Sequence, residues 1–149
     1  MRAVQMYRTA RFLMYREEPA MLTNSHITTI LPVVQMDRAR RFYEEKLGLV
    51  PEGEHADGSF WMRGGDGGTV ALILRPDRKQ SEYTALSFEV DNIDTEIKEL
   101  ERRGVKFEDY DLPELKTVNH VFSTSDEKCA WLNDTEGNIL CLHQSTHPH

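Results

Sequence analysis

Three side chains in this sequence lie where they could transfer a proton: Glu89, His120 and His143. Glu89 lies in the apolar segment 83–90, and a carboxylate there must either reach water or act inside a cavity. His120 lies in a long polar segment, 111–128, and an imidazole titrates close to neutral pH. These residue types suit acid–base chemistry on a small molecule. Solvated side chains at strand ends and in loops are the simpler interpretation.

Four larger side chains are candidates for ligand binding. Tyr110 and Lys116 lie in or beside the long segment, and loops of this length in compact domains often close over ligands. Trp61 and Trp131 carry flat apolar rings that could stack on a planar ligand or pack in the core. A lysine in such a loop could bind an anionic group or simply be solvated.

The two cysteines, Cys129 and Cys141, have neither the density of a secreted disulfide scaffold nor the C-x-x-C spacing of zinc and redox sites. If the segments around them form a hairpin that turns near residues 135 and 136, the two thiols lie nearly opposite each other. We expect two small buried side chains in a reducing compartment, and pairing of the thiols stays open.

Composition excludes several classes of protein. The chain has 149 residues and a formal net charge of −7, which argues against nucleic-acid binding. It has no apolar run of roughly 20 residues that could span a membrane. Its opening segment contains arginines where a signal peptide would have an apolar core. We therefore expect a cytoplasmic protein.

Residues 1–24 differ in charge from the rest, with four arginines against two glutamates. Such an asymmetry indicates an appended segment. Two interpretations stay open: a docking helix that ends before Pro19, or an upstream start that precedes a true start at Met21.

The remainder repeats one order of elements. Met36-Asp37 aligns with Ile93-Asp94, Gly48 aligns with Gly104, and Trp61 aligns with Trp131. The first copy is predicted as a strand at 26–34, a helix at 36–47 and strands at 49–52, 59–63 and 69–75. The second is predicted as a strand at 83–90, a helix from 93 to 104 capped by Asn92, a strand at 105–110, and a hairpin of 129–133 and 138–143. This internal repeat predicts an α+β fold in which two βαβββ modules, about 25–80 and 81–144, form curved mixed sheets around a central cavity, followed by a tail at 145–149.

Three segments resemble the vicinal oxygen chelate superfamily: VVQMDRARRFYEEKLGL (33–49), FEVDNIDTEIKELERRGVKF (88–107) and AWLNDTEGNILCLHQ (130–144). That superfamily includes glyoxalase I, extradiol dioxygenases, fosfomycin-modifying enzymes and bleomycin-resistance proteins. The resemblance covers about 25–144. It implies paired βαβββ modules, usually in a homodimer, with the active cavity inside the sheets.

The resemblance also implies one His or Glu on each of four strands, where metalloenzymes of the superfamily hold a divalent ion. The matching positions here are Thr28, Leu72 or Leu74, Ala85 and Cys141. None of them is such a ligand, so we predict no cofactor. A relocated metal site is the alternative, because strand alternation puts His26 on the face of Thr28 and His143 on the face of Cys141.

The leading hypothesis is a metal-independent small-molecule-binding protein of the bleomycin-resistance type. Its predicted ligand-binding residues are Thr28, Trp61, Leu72, Ala85, Glu89, Tyr110, Lys116, Trp131 and Cys141. One alternative is a lyase, isomerase or dioxygenase-like enzyme with a relocated metal or acid–base site at Glu89, His120 or His143. Another is a dimeric interaction module whose cavity is filled by side chains.

Overall fold

The computed structural model describes residues 21–146 and consists of two four-stranded mixed sheets with two α-helices. Residues 1–20 of the predicted N-terminal extension and residues 147–149 of the predicted tail lie outside this range. The first half contains β1 (Thr28–Val33), α1 (Met36–Arg41), a π-helical turn (Phe42–Lys46), β2 (Val50–Glu54), β3 (Phe60–Arg63) and β4 (Thr69–Leu74). The second contains β5 (Thr84–Glu89), α2 (Ile93–Arg102), β6 (Asp111–Leu112), β7 (Leu115–Lys116), β8 (Phe122–Ser123), β9 (Glu127–Asn133) and β10 (Ile139–Ser145).

The two sheets have the same topology, which confirms the predicted repeat. The strand orders are β1-β4-β3-β2 and β5-β10-β9-β8, and the first pair in each sheet is parallel while the others are antiparallel. Each helix is followed by a glycine with positive φ, Gly48 at 77° and Gly104 at 92°. Glycine adopts this left-handed conformation without the penalty that a Cβ atom brings. The α+β, two-module prediction is therefore confirmed.

The first helix differs from its prediction over residues 36–47. It is α-helical only to Arg41 and continues as a π-helical turn, in which the Leu47 amide donates to the Phe42 carbonyl at 3.2 Å. The Tyr43 carbonyl, which an α-helix would pair with Leu47, accepts instead from the Leu49 amide at 2.9 Å. The backbone beyond Gly48 thus takes the acceptor that a regular last turn would use.

The predicted strand at 105–110 is not formed. Val105 and Phe107 are buried, which explains the strand-like pattern, but the segment pairs with β9 only through the bridge of Phe107 with Leu132 and the bond from the Glu108 amide to the Trp131 carbonyl. The place of β2 in the second sheet is taken by the short strand β8. The predicted long loop holds that strand and the small β6–β7 hairpin.

Each sheet has one side in the hydrophobic core, which also contains helix residues such as Tyr43 and Ile97. We call this the helix-facing side, and the opposite side the open face. Helix-facing residues are Leu31, Met62, Val70, Leu72, Leu132, Leu140 and Leu142. Side chains alternate along a strand, so their neighbours lie on the open faces, among them Ile30, Trp61, Ala71, Ser87, Cys129, Trp131, Cys141 and His143.

The turn between β9 and β10, Asp134–Asn138, joins the two halves. Glu136 is fully buried and accepts hydrogen bonds from the amides of Val34 and Gln35, both at 2.8 Å, and from the Arg38 guanidinium at 2.7 Å. Asp134 accepts from the buried Tyr43 hydroxyl at 2.5 Å. These bonds fix the hairpin of β9 and β10 against the first helix, and the hairpin carries most of the open face of the second sheet.

Among residues 21–146, neither helix has the length and apolar character needed to cross a membrane.

Candidate functional site

His143 lies at the centre of a polar group on the open face of the second sheet. It stands on β10, opposite Glu89 of β5 and opposite Cys129 of β9. Its Nδ1 is 2.5 Å from Oε2 of Glu89, and its Nε2 is 2.7 Å from Oε2 of Glu127. The hydrogen bonds with Glu89 and then with Glu127 raise the pKa of His143, because both carboxylates stabilise the imidazolium. The imidazole is held from both nitrogens and keeps 26% of its side-chain surface exposed.

The two cysteines lie beside His143 and are both buried and free. They share one face but are diagonal neighbours, since Cys141 is opposite Trp131 and Cys129 is opposite His143. Burial, the neighbouring Cys141 thiol and Glu127 raise the pKa of Cys129 to about 12. Burial also raises the pKa of Cys141. Both thiols are therefore harder to ionise than an ordinary cysteine.

Glu127, Cys129 and His143 bring one oxygen, one sulfur and one nitrogen within 4.8 Å of one another. Glu127 was missed in the sequence because the last hairpin was predicted to start at Cys129. The strand begins two residues earlier, and alternation puts Glu127 on the same face as Cys129. A carboxylate two residues before a strand cysteine was the available signal.

An aromatic group continues this face beyond Cys129. The ring of Trp131 meets the ring of Tyr110 edge-on, with centroids 5.6 Å apart. The ring of Phe122, on the neighbouring strand β8, has its centroid 6.3 Å from that of Trp131. In the first sheet, Trp61 stacks on His55 with centroids 4.4 Å apart. The two tryptophans occupy matching register positions, opposite Ala71 and Cys141, and both are half-buried. Both halves therefore present an indole at the same place.

The register also corrects one of the four predicted metal-ligand positions, the one assigned to Leu72 or Leu74. Ala71 is the equivalent of Cys141, whereas Leu72 points to the helix-facing side and is 0% exposed. Leu72 therefore cannot contact a ligand on the open face, because strand alternation turns it into the core. Leu74, the other predicted candidate, lies at the end of β4 and is exposed.

Other predicted residues are spread over the chain. The hydroxyls of Thr28 and Thr69 hydrogen-bond at 2.8 Å across β1 and β4, and Ala85 is exposed on β5. Lys116 is exposed in the β6–β7 hairpin. Nδ1 of His120 is 2.9 Å from Oδ1 of Asp109, and its Nε2 is 3.4 Å from Oε2 of Glu101 on α2. His26 lies next to Gly67. Of the histidines in residues 21–146, only His143 belongs to the group of ligand atoms described above.

A pocket of about 490 Å³ lies between β1 and β5, each of which is one of the two edge strands of its sheet. Its lining includes Thr29 and Thr69 from the first sheet, Phe88 and Glu89 from β5, and residues 64–66 and 68 of the glycine-rich turn. Glu89 thus borders both this pocket and the polar group around His143. A molecule in the pocket would contact a mixed apolar and hydroxyl-rich surface.

Residues 24–141 match the model of the Glyoxalase/Bleomycin resistance protein/Dioxygenase superfamily. The chain belongs to this superfamily. Solved structures with the same fold include TnmS3, an antibiotic binding protein from Streptomyces sp. CB03234, with 22% identity, a TM-score of 0.65, and coverage of 83% of this chain and 98% of that one. A superfamily member from Sphaerobacter thermophilus DSM 20745 has 22% identity, a TM-score of 0.67, and coverage of 83% and 99%.

A lactoylglutathione lyase from Agrobacterium tumefaciens is also similar in structure, with 14% identity, a TM-score of 0.61, and coverage of 81% of this chain and 93% of that one. The chain has no match among curated proteins. At these identities the solved structures establish the shared fold. Binding proteins and enzymes both occur among them, so the choice between the two rests on the side chains of this superfamily member.

Proposed function

We propose that this superfamily member binds an aromatic or amphipathic small molecule on the open faces of its sheets, without a metal at the four positions that the superfamily's metalloenzymes use. The observation that carries the proposal is the identity of the residues at those positions. Corrected by the register, they are Thr28, Ala71, Ala85 and Cys141, and two of the four have no donor atom in the side chain. Three of the four are not ligands for a divalent ion, and a single thiol does not form a metal centre.

The aromatic side chains support a planar or amphipathic ligand. Trp61 and Trp131 are half-buried at equivalent places, and each is fixed by a neighbouring ring, His55 or Tyr110. The indole nitrogen of Trp61 also donates to the Ser59 hydroxyl at 2.9 Å. Rings held in this way lose little freedom when a ligand stacks on them, which favours binding. The antibiotic-binding relative TnmS3 is consistent with such a ligand.

We infer that the binding unit is a homodimer. The two helix-facing sides share one core within the chain, so the open faces lie outside it. Ile30, at the centre of β1 on the open face, is 59% exposed, and strands β1 and β5 each have one unpaired edge in their sheets. A second copy would cover Ile30 and enclose the ligand. The substitution Ile30→Glu should convert a dimer to a monomer in sedimentation velocity, while Leu112→Glu, at an exposed site in the β6–β7 hairpin, should not.

The binding experiment uses the fluorescent probe anilinonaphthalene sulfonate, which is both aromatic and amphipathic, in buffer with EDTA. Saturable binding is expected, and Trp61→Leu and Trp131→Leu should each weaken it roughly three- to tenfold. Phe42→Leu is the matched control, since Phe42 is a half-buried aromatic residue on the helix side. Loss of binding in EDTA would contradict metal independence. Binding that neither tryptophan variant changes would contradict the open faces as its location.

A further inference from the structure

We propose that Glu127, Cys129 and His143 form a binding site for a divalent transition metal such as Zn²⁺, at a place in the fold different from the four positions discussed above. Two of the three residues stand on β9, which carries none of those positions. The proposal does not depend on small-molecule binding, because its experiment uses the metal alone.

The donor set fits zinc. A carboxylate oxygen, a thiolate sulfur and an imidazole nitrogen are each common zinc ligands, with bonds of roughly 2.0–2.3 Å. Bonds of that length put neighbouring tetrahedral donors roughly 3.3–3.8 Å apart. Here Nε2 of His143 and Oε2 of Glu127 are 2.7 Å apart, and all three donors lie within 4.8 Å. Side-chain adjustments of about 1 Å would place an ion between them, and its binding would release to solvent the proton between Nε2 and Glu127 and the proton of the Cys129 thiol.

The backbone holds the donors in place. Cys129 and His143 are directly opposite each other in the antiparallel pair of β9 and β10, so their Cβ atoms are about 5 Å apart. Glu127 lies two residues before Cys129, on the same face of β9. Because the site lies within one hairpin, a single chain supplies all three ligands.

Glu89 completes the arrangement as a positioning residue. It contacts Nδ1 of His143 at 2.5 Å, and its other oxygen accepts from the Ser145 amide at 3.1 Å. A carboxylate on Nδ1 fixes the tautomer in which Nε2 is free to bind an ion, and it makes that nitrogen more basic. Zinc-binding histidines in proteins commonly have such an outer partner. Three protein ligands leave a fourth coordination position for water or another small ligand.

The test is a titration of chelator-treated protein with Co²⁺, followed by competition with Zn²⁺. Since histidines in the tail can also bind these ions, the background protein carries His147→Ala and His149→Ala. A thiolate-to-cobalt charge-transfer band and the intense visible bands of tetrahedral Co²⁺ are expected, together with a rise in the thermal unfolding temperature. Absence of the charge-transfer band at saturating Co²⁺ would overturn the proposal.

The variants locate the site. Cys129→Ser should abolish the charge-transfer band, and Glu127→Gln, which changes a half-exposed side chain and should not disturb folding, should weaken Co²⁺ binding more than about 100-fold. Cys141→Ser is the matched control on the same face and should keep the band. Glu89→Gln should weaken binding roughly 10- to 100-fold while the band keeps its shape. A band that survives Cys129→Ser, or that is lost only in Cys141→Ser, would refute this set of ligands.

Discussion

Replacing Glu136 by glutamine should destabilise the whole fold, because this carboxylate joins the two halves. Its Oε1 accepts from two backbone amides and its Oε2 accepts from Arg38 and from the Thr135 hydroxyl at 2.7 Å. A glutamine keeps one acceptor oxygen, but its amide group would face donors with a donor of its own. Arg38 keeps 38% of its side-chain surface exposed and can be hydrated, so the cost comes mainly from the buried donors that lose a charged acceptor, about 3 kcal/mol.

The pKa of Glu136 leads to the same magnitude. Burial alone would raise it, but the hydrogen bonds from Arg38, Thr135 and the backbone amides outweigh burial and hold the pKa at about 2, below the ordinary 4.5. That difference corresponds to roughly 3 kcal/mol of stabilisation of the charged form. Because the folded-state pKa is the lower one, this stabilisation is complete above pH 4.5 and is lost as the pH falls towards about 2. The deficit of Glu136→Gln relative to the native protein should shrink over the same range.

The assay is urea and thermal unfolding followed by circular dichroism at pH 7 and at several acidic pH values. A loss of about 3 kcal/mol should lower the midpoint temperature by roughly 6–12 °C in a chain of this size. The matched control is Glu99→Gln, which breaks the ion pairs of Glu99 with Arg102 and Arg103 on the surface of α2, where little change is expected. If Glu136→Gln is no more destabilising than Glu99→Gln, or if its deficit does not depend on pH, the role assigned to this carboxylate is wrong.

Three further outcomes are expected. Tyr43→Phe removes the buried hydroxyl that donates to Asp134 and should lower the free energy of unfolding by about 1–3 kcal/mol; no change in urea unfolding would mean that this bond adds nothing. Gly104→Ala and Gly48→Ala should each cost about 1–2 kcal/mol, because alanine at positive φ is strained, and equal stability to the native protein would contradict the helix-end argument. Native Cys129, with a pKa raised to about 12, should react with iodoacetamide at pH 8 far more slowly than in urea, and similar rates in both would show that the thiol is accessible and ionised.

The fold could be predicted from the sequence because its signals are local. Alternating and helical spacing of apolar residues, together with Gly48 and Gly104, gave the order of elements twice, and the helix cap at Asn92 forms as predicted, with its side chain accepting from the Thr95 amide at 3.1 Å. The prediction of a strand at 105–110 was wrong, because buried residues at alternate positions give the pattern of a strand whether or not a partner strand runs beside them.

The site depended on tertiary structure. Glu89, Glu127, Cys129 and His143 stand on three strands, and their distances follow from pairing and register, which spacing along the chain does not determine. A shift of one residue separated Leu72 in the core from Ala71 on the open face. The sequence by itself determined the two-module architecture and the residues missing from the usual metal positions. Only the pairing of β5, β9 and β10 placed an imidazole between two carboxylates beside a thiol, since residues distant in sequence become neighbours only when a sheet forms.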